Sequence, residues 1–128
     1  MTRTITSAND PDDWFLLARD KLAAADDVFA ARGATYAGVE LLHEAVERFL
    51  KGYLIAKGWR LERTHYLDVL IEEAATHDSR FEPFMDLAED LTQQFFAQHY
   101  PGSDLADVGA NYTELRTRIT DLIQLIES

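Results

Sequence analysis

The chain has 128 residues, of which 47% are hydrophobic, and a formal net charge of −11. This length is typical of one domain, and the hydrophobic content excludes a disordered chain despite the charge. The absence of cysteine excludes disulfides and thiolate chemistry. The acidic balance argues against non-specific binding to duplex DNA, which depends on neutralisation of phosphates by lysine and arginine.

The N-terminal segment, residues 1–9, contains no apolar run. We expect it to be flexible, and neither a signal peptide nor a membrane span, which points to a cytoplasmic protein. A first helix is predicted to begin at Asp10–Pro11, because aspartate is a favoured N-cap and proline is tolerated at the first helical position. Arg32–Gly33 should end it. Its apolar stripe comprises Trp14, Ala18, Leu22, Ala25 and Phe29.

A second, longer helix is predicted from apolar residues that recur at steps of three and four. Lys57–Gly58 should end it, since a cation suits the last turn and glycine can take a positive φ. A third helix is predicted to open at Thr64–His65 and to end near Thr76–Asp78. The stripe of the second helix comprises Val39, Leu42, Val46, Phe49, Tyr53 and Ala56, and that of the third comprises Leu67, Leu70, Ile71 and Ala74.

Two more helices complete the predicted fold. Ser79 and Glu82 have the spacing of a capping box at the start of a fourth helix, which Tyr100–Gly102 should end. A polar link leads to the fifth helix, and no segment alternates with the period of a strand. We predict an all-α, antiparallel up-down bundle of about five helices with a four-helix core, in one domain over residues 10–128. The last two stripes comprise Phe84, Ala88, Leu91 and Phe95, then Tyr112, Leu115, Ile119, Leu122 and Ile126.

The four histidines do not form a recognisable metal site. The sequence contains neither an HExxH motif nor two ExxH motifs, and Glu73 with His77 is an isolated pair. It also has no Gly-rich phosphate loop and no GxSxG elbow. We therefore expect neither a metal nor a cofactor.

A basic cluster is the first candidate site. Between Arg48 and Arg63 the only acid besides five basic residues is Glu62, whereas most of the chain is acidic. Such a cluster can hold a phosphate or a nucleotide. The alternative is that Lys51 pairs with Glu47 on its own helix and that the other residues serve solubility. The cluster comprises Arg48, Lys51, Lys57, Arg60, Arg63 and His65.

The predicted end of the fourth helix is the second candidate site. Gln94, His99, Tyr100 and Pro101 lie there, and a histidine beside a tyrosine can act as a general base on a ribose hydroxyl. The alternative is a histidine that complements the negative end of the helix, followed by a proline that stops it.

The sequence resembles the HEPN family, the small prokaryotic helical proteins often encoded beside minimal nucleotidyltransferases. The resemblance extends from the segment that begins at Trp14 to the last helix. Residues 45–51 match the A-x-E-[KR]-x-x-K core of the family, and residues 64–67 match its T-H-x-L segment. His99–Pro101 stands where many members have R-Y-P.

The resemblance implies a bundle that dimerises, with a polar groove along the dimer seam. Ribonuclease members carry an arginine separated from a histidine by four to six residues. Counted back from His99, those positions are Gln94, Gln93 and Thr92, so the cation that would stabilise a phosphate is absent. The leading hypothesis is therefore a non-catalytic homodimer that binds a nucleotide or a nucleotidyltransferase partner, within a pair of the toxin–antitoxin kind. Tyr100 is then the candidate for adenylylation by the partner.

Two alternatives remain open. One is a metal-independent RNase in which Arg48 or Arg63 of one protomer reaches His99 of the other, with His99 as the catalytic residue. The other is a helical interaction module that docks on a basic partner through an acidic face. That face would comprise Glu72, Glu73, Asp86, Glu89 and Asp90.

Overall fold

A computed structural model describes residues 5–98 and 108–128, and the side chains of residues 5–98 and 111–128. Over these residues the structure has five α-helices, one 3-10 helix and no strand, which confirms the all-α bundle. The helices are α1 (Pro11–Arg32), α2 (Tyr36–Ala56), α3 (Leu67–His77), a 3-10 helix (Ser79–Phe84), α4 (Met85–Gln98) and α5 (Val108–Glu127).

Helix α1 packs antiparallel against both α2 and α5. Residues further along α1 contact residues earlier in α2: Phe15 lies beside Gly52, and Lys21 pairs with Glu44. The pairs with α5 also run in reverse order, and they are Arg19–Glu127, Asp26–Arg116 and Phe29–Tyr112. Apolar residues of all five helices enclose one core, as expected for an amphipathic bundle.

Helix α1 begins and ends where its sequence predicts, and α2 ends where predicted. The Asp10 side chain accepts the N–H of Asp12 at 3.0 Å, and Pro11 is the first residue of α1. Gly33 and Gly58 have φ values of 74° and 87°, so both stops use the left-handed region that favours glycine. The stripe of α2 is buried, except that Tyr53 is half-buried and Ala56, in the last turn, is exposed.

The predicted start of α3 was wrong. Helix α3 begins at Leu67 rather than at Thr64–His65. Thr64 Oγ1 accepts the N–H of Tyr66 at 3.1 Å, which holds a turn, and the N–H of Leu67 is instead capped by Thr92 Oγ1 of α4 at 3.2 Å. A cap supplied by another helix leaves no local sequence signal, so residues 59–66 form a longer link than predicted.

The predicted capping box was also wrong. Asp78, one residue earlier than Ser79, accepts the N–H of Arg80 at 3.0 Å and caps the 3-10 helix. Because Pro83 lacks an N–H and lies in this tighter helix, the α-helical part begins only at Met85. The predicted end of the fourth helix at Tyr100–Gly102 lies outside the described residues.

Candidate functional site

A buried ion pair on α2 is the centre of the candidate site. Lys51 Nζ lies 3.1 Å from Glu47 Oε2, one helical turn away, and the two side chains are only 5% and 7% exposed. The ammonium also lies 5.7 Å from the ring centroid of Trp14. A charge at this depth is tolerated only when it is paired, so Glu47 is what allows Lys51 to be buried. The alternative in which Lys51 pairs with Glu47 is therefore the observed geometry.

The exposed His65 forms a hydrogen bond with the same buried carboxylate. Its Nδ1 lies 2.7 Å from Glu47 Oε1, while its side chain is 65% exposed. Because a carboxylate accepts hydrogen bonds, Nδ1 donates to Glu47, and Nε2 is an acceptor in the neutral ring or a second donor in the protonated ring. Nε2 has no partner in the described part of the chain. The ring is thus held in one orientation with one nitrogen free for a ligand.

The buried His43 holds the link in place through a hydrogen bond to its backbone. It is fully buried, and its Nε2 donates to the carbonyl of His65 at 3.0 Å. Its ring stacks on Phe95 of α4 with centroids 4.2 Å apart. Burial lowers the pKa of His43 to about 4, and nearby Glu47 offsets this only in part. Nδ1 is buried without a hydrogen-bond partner. A neutral His43 therefore joins α2, the link and α4 beneath the exposed imidazole.

Two exposed rings continue this surface. Tyr66 follows His65 on the link, and its ring lies 5.3 Å from the ring of Phe96 on α4, centroid to centroid. Phe95 contacts Phe96 edge-on at 5.4 Å, and the ring of His65 lies 6.2 Å from that of Phe95. We call Tyr66 and Phe96 the ring pair. It places exposed aromatic surface directly after His65 on the link.

The predicted basic cluster is divided in the structure. Lys51 and His65 meet through Glu47, and Arg63 is exposed on the link two residues before His65. Arg48, in contrast, turns back on α2, where its Nη1 donates to the carbonyl of Glu44 at 3.1 Å. Lys57 lies over the ring of Tyr53 at 5.5 Å, and Arg60 is exposed. The exposed positive charge near His65 is thus carried by the link.

The second candidate site cannot be placed. His99 and Tyr100 lie outside the described residues, whereas Gln94 is half-buried on α4 with its Oε1 lacking a partner. The acidic residues of the alternative docking face lie on α3 and α4, and all but the half-buried Glu73 are exposed.

The sequence did not reveal that Glu47 binds both Lys51 and His65, or that His43 holds the link through the carbonyl of His65. The available signal was the placement of both within the apolar stretch of α2, at positions that a helix bundle buries. A polar residue at such a position needs a partner, and His65 supplies it in both cases.

A family model for the HEPN domain matches residues 11–127 of the chain. The chain belongs to the HEPN family. Neither the search of curated proteins nor the search of solved structures returned a match. HEPN domains are often RNase toxins or are associated with nucleotidyltransferases, and they commonly dimerise.

Three features are absent from the described part of this HEPN domain. None of its helices is long and apolar enough to cross a membrane. In residues 5–98 and 111–128 no three His, Asp or Glu side chains are grouped so as to hold a metal ion. The three positions where the RNase arginine would stand are neutral, and Thr92 is already used to cap α3.

Proposed function

We propose that this HEPN domain is a non-catalytic binding module for a nucleotide, free or carried by a nucleotidyltransferase partner. The observation that supports this most is the free, oriented Nε2 of His65 beside the basic link. A neutral Nε2 accepts from a hydroxyl or amine, and a protonated one donates to a phosphate.

The local charge favours an anion. Residues 57–66 carry Lys57, Arg60 and Arg63 against Glu62 alone, a balance of +2 with His65 neutral. The charge of Glu47 is offset by Lys51, so the carboxylate beneath the site does not repel a phosphate. Arg63 can bind two phosphate oxygens at once, which Lys51 at its depth cannot do. In a chain of net charge −11, this segment is the part that attracts a small anion.

The non-catalytic assignment rests on neutral side chains at Thr92, Gln93 and Gln94. Phosphoryl chemistry needs positive charge at the developing oxyanion, and amides and hydroxyls supply much less. Arg48, one candidate for replacing the missing arginine across a dimer, is bonded to its own helix. Incubation with total RNA tests the assignment, and cleavage that is lost in His99→Ala would overturn it.

Isothermal titration with ATP tests nucleotide binding directly. We expect His65→Ala to weaken binding roughly tenfold, as for loss of one charge-assisted hydrogen bond. His77→Ala is the matched control, because His77 is equally an exposed histidine but lies at the far end of α3. If wild-type protein binds neither ATP nor the product of the adjacent gene, the proposed function is wrong.

The partner and the assembly belong to the same proposal. We propose a homodimer that pairs with a nucleotidyltransferase in a toxin–antitoxin-like system, with Tyr100 as the residue that the partner modifies. Light scattering tests the homodimer. Mass spectrometry after incubation with the partner and ATP tests the modification, which should be absent from Tyr100→Phe.

A further inference from the structure

Three large apolar side chains are exposed together where the link joins α3. Tyr66, Val69 and Phe96 are 52%, 44% and 36% exposed. Single exposed apolar residues are common, but here the two rings touch, and Val69 lies one turn along from Tyr66. Leu67, Leu70 and Leu91 are buried in the core, whereas these three side chains remain at the surface.

The ring pair is held in place before any ligand arrives. Phe96 is supported by the edge of Phe95, which is itself stacked on the buried His43. The backbone of Tyr66 is held by the Thr64 hydroxyl, and the next N–H is capped by Thr92. A ligand that covers these rings therefore loses little of its binding energy to ordering them.

The groups that neighbour the ring pair along the chain are an imidazole, a guanidinium and a carboxylate. His65 precedes Tyr66 directly, and Arg63 is three residues before it, within about 10 Å even for a fully extended chain. Asp68 is the nearest acid on α3, and one of its carboxylate oxygens is buried. An apolar surface beside a hydrogen-bonding nitrogen and a guanidinium suits a ligand with a flat ring at one end and phosphate at the other.

We propose that the ring pair is a stacking platform for the base of a nucleotide, whose sugar and phosphates lie toward His65 and Arg63. This rests on the proposed function and adds which residues contact the base. Stacking on an aromatic face needs no particular base edge, so adenine and uracil nucleotides should both bind, and the larger adenine ring should bind more tightly.

The test compares ATP with inorganic triphosphate by isothermal titration. Loss of both rings in Tyr66→Ala/Phe96→Ala should weaken ATP binding roughly tenfold or more and leave triphosphate binding unchanged. Arg63→Ala should weaken both ligands. Tyr66→Phe keeps the ring and should weaken ATP binding less than Tyr66→Ala does. Val69→Ala removes exposed apolar area outside the ring pair and should bind ATP like wild type. Circular dichroism verifies that each variant is folded.

The outcomes separate the two proposals. If the double variant binds ATP as tightly as wild type while Arg63→Ala weakens ATP binding, the site contacts only the phosphates. The platform is then refuted, but nucleotide binding stands. If the double variant loses a protein partner and keeps ATP, the rings are a protein contact, and the platform is again refuted. If wild-type protein binds no nucleotide, both proposals fall.

Discussion

Mild acid should destabilise this domain through His43. In the unfolded chain this imidazole takes a proton near pH 6.5, but in the fold its pKa is lowered to about 4 by burial. Between these values the unfolded state binds more protons than the folded state, so the free energy of unfolding falls as the pH falls. The full gap of about 2.5 pH units corresponds to about 3 kcal/mol, of which about 2 kcal/mol is lost by pH 5.

Other groups do not obscure this range. Glu44 and Glu47 on α2 and His65 on the link face His43, while Phe95 covers it from α4. The pKa values of Asp26 and Asp78 are lowered by their arginine partners, so their contributions are present above about pH 4 and lost only below it. These two aspartates therefore contribute little change between pH 7 and pH 5.

Urea unfolding, followed by tryptophan fluorescence, measures the effect at pH 7, 6 and 5. His43→Gln cannot titrate, yet its amide N–H can still donate to the carbonyl of His65. We expect this variant to lose about 2 kcal/mol less than wild type between pH 7 and pH 5. The exposed His77→Gln serves as control and should lose as much as wild type. Equal losses in wild type and His43→Gln would refute the role given to burial.

Three further changes test the packing around the site, each by urea unfolding at pH 7. Glu47→Gln should cost about 3–5 kcal/mol because it leaves the ammonium of Lys51 buried and unpaired. Adding Lys51→Met should restore part of that loss, and no recovery would contradict the pairing. Gly52→Ala should destabilise the domain by about 1 kcal/mol, because the new methyl group would lie 2.7 Å from the Phe15 ring. In a Phe15→Ala background only the contact with the Trp14 Cβ, at 3.1 Å, remains, so the same change should cost less, and an unchanged cost would exclude the clash with the ring. Thr92→Val should cost about 1–3 kcal/mol by leaving the Leu67 N–H without its acceptor, whereas Thr92→Ser should cost less, and equal costs would argue against this cap.

The bundle was predictable because apolar residues recur in each helix at the steps of three and four that place them on one face. The stripe that begins at Val39 shows where α2 lies and which side it buries, and caps such as Asp10 are local signals. The errors came from long-range or competing contacts. The cap of α3 comes from Thr92, and Asp78 competes with Ser79 as an N-cap of similar strength.

The candidate site was predictable only in part. Arg63 and His65 stood out as basic residues in an acidic chain, and the i to i+4 spacing of Glu47 and Lys51 indicated their pair. That both residues are buried depends on tertiary packing, as does the exposure of Phe96 on a helix whose other apolar residues face inward. Periodicity identifies an apolar face but does not say which part of it another helix covers.

Helix α2 supports the link with His43 and Glu47 from the same turns that fill the core with Leu42 and Val46. Arg63, His65 and Tyr66, three of the four residues that would touch a ligand, sit instead on a link that contributes few side chains to that core. Evolution can therefore alter ligand preference by substitutions at Arg63 or Tyr66 while the folding of the domain is barely affected. Substitutions in the middle of α2 have no such freedom, because they change stability and recognition together.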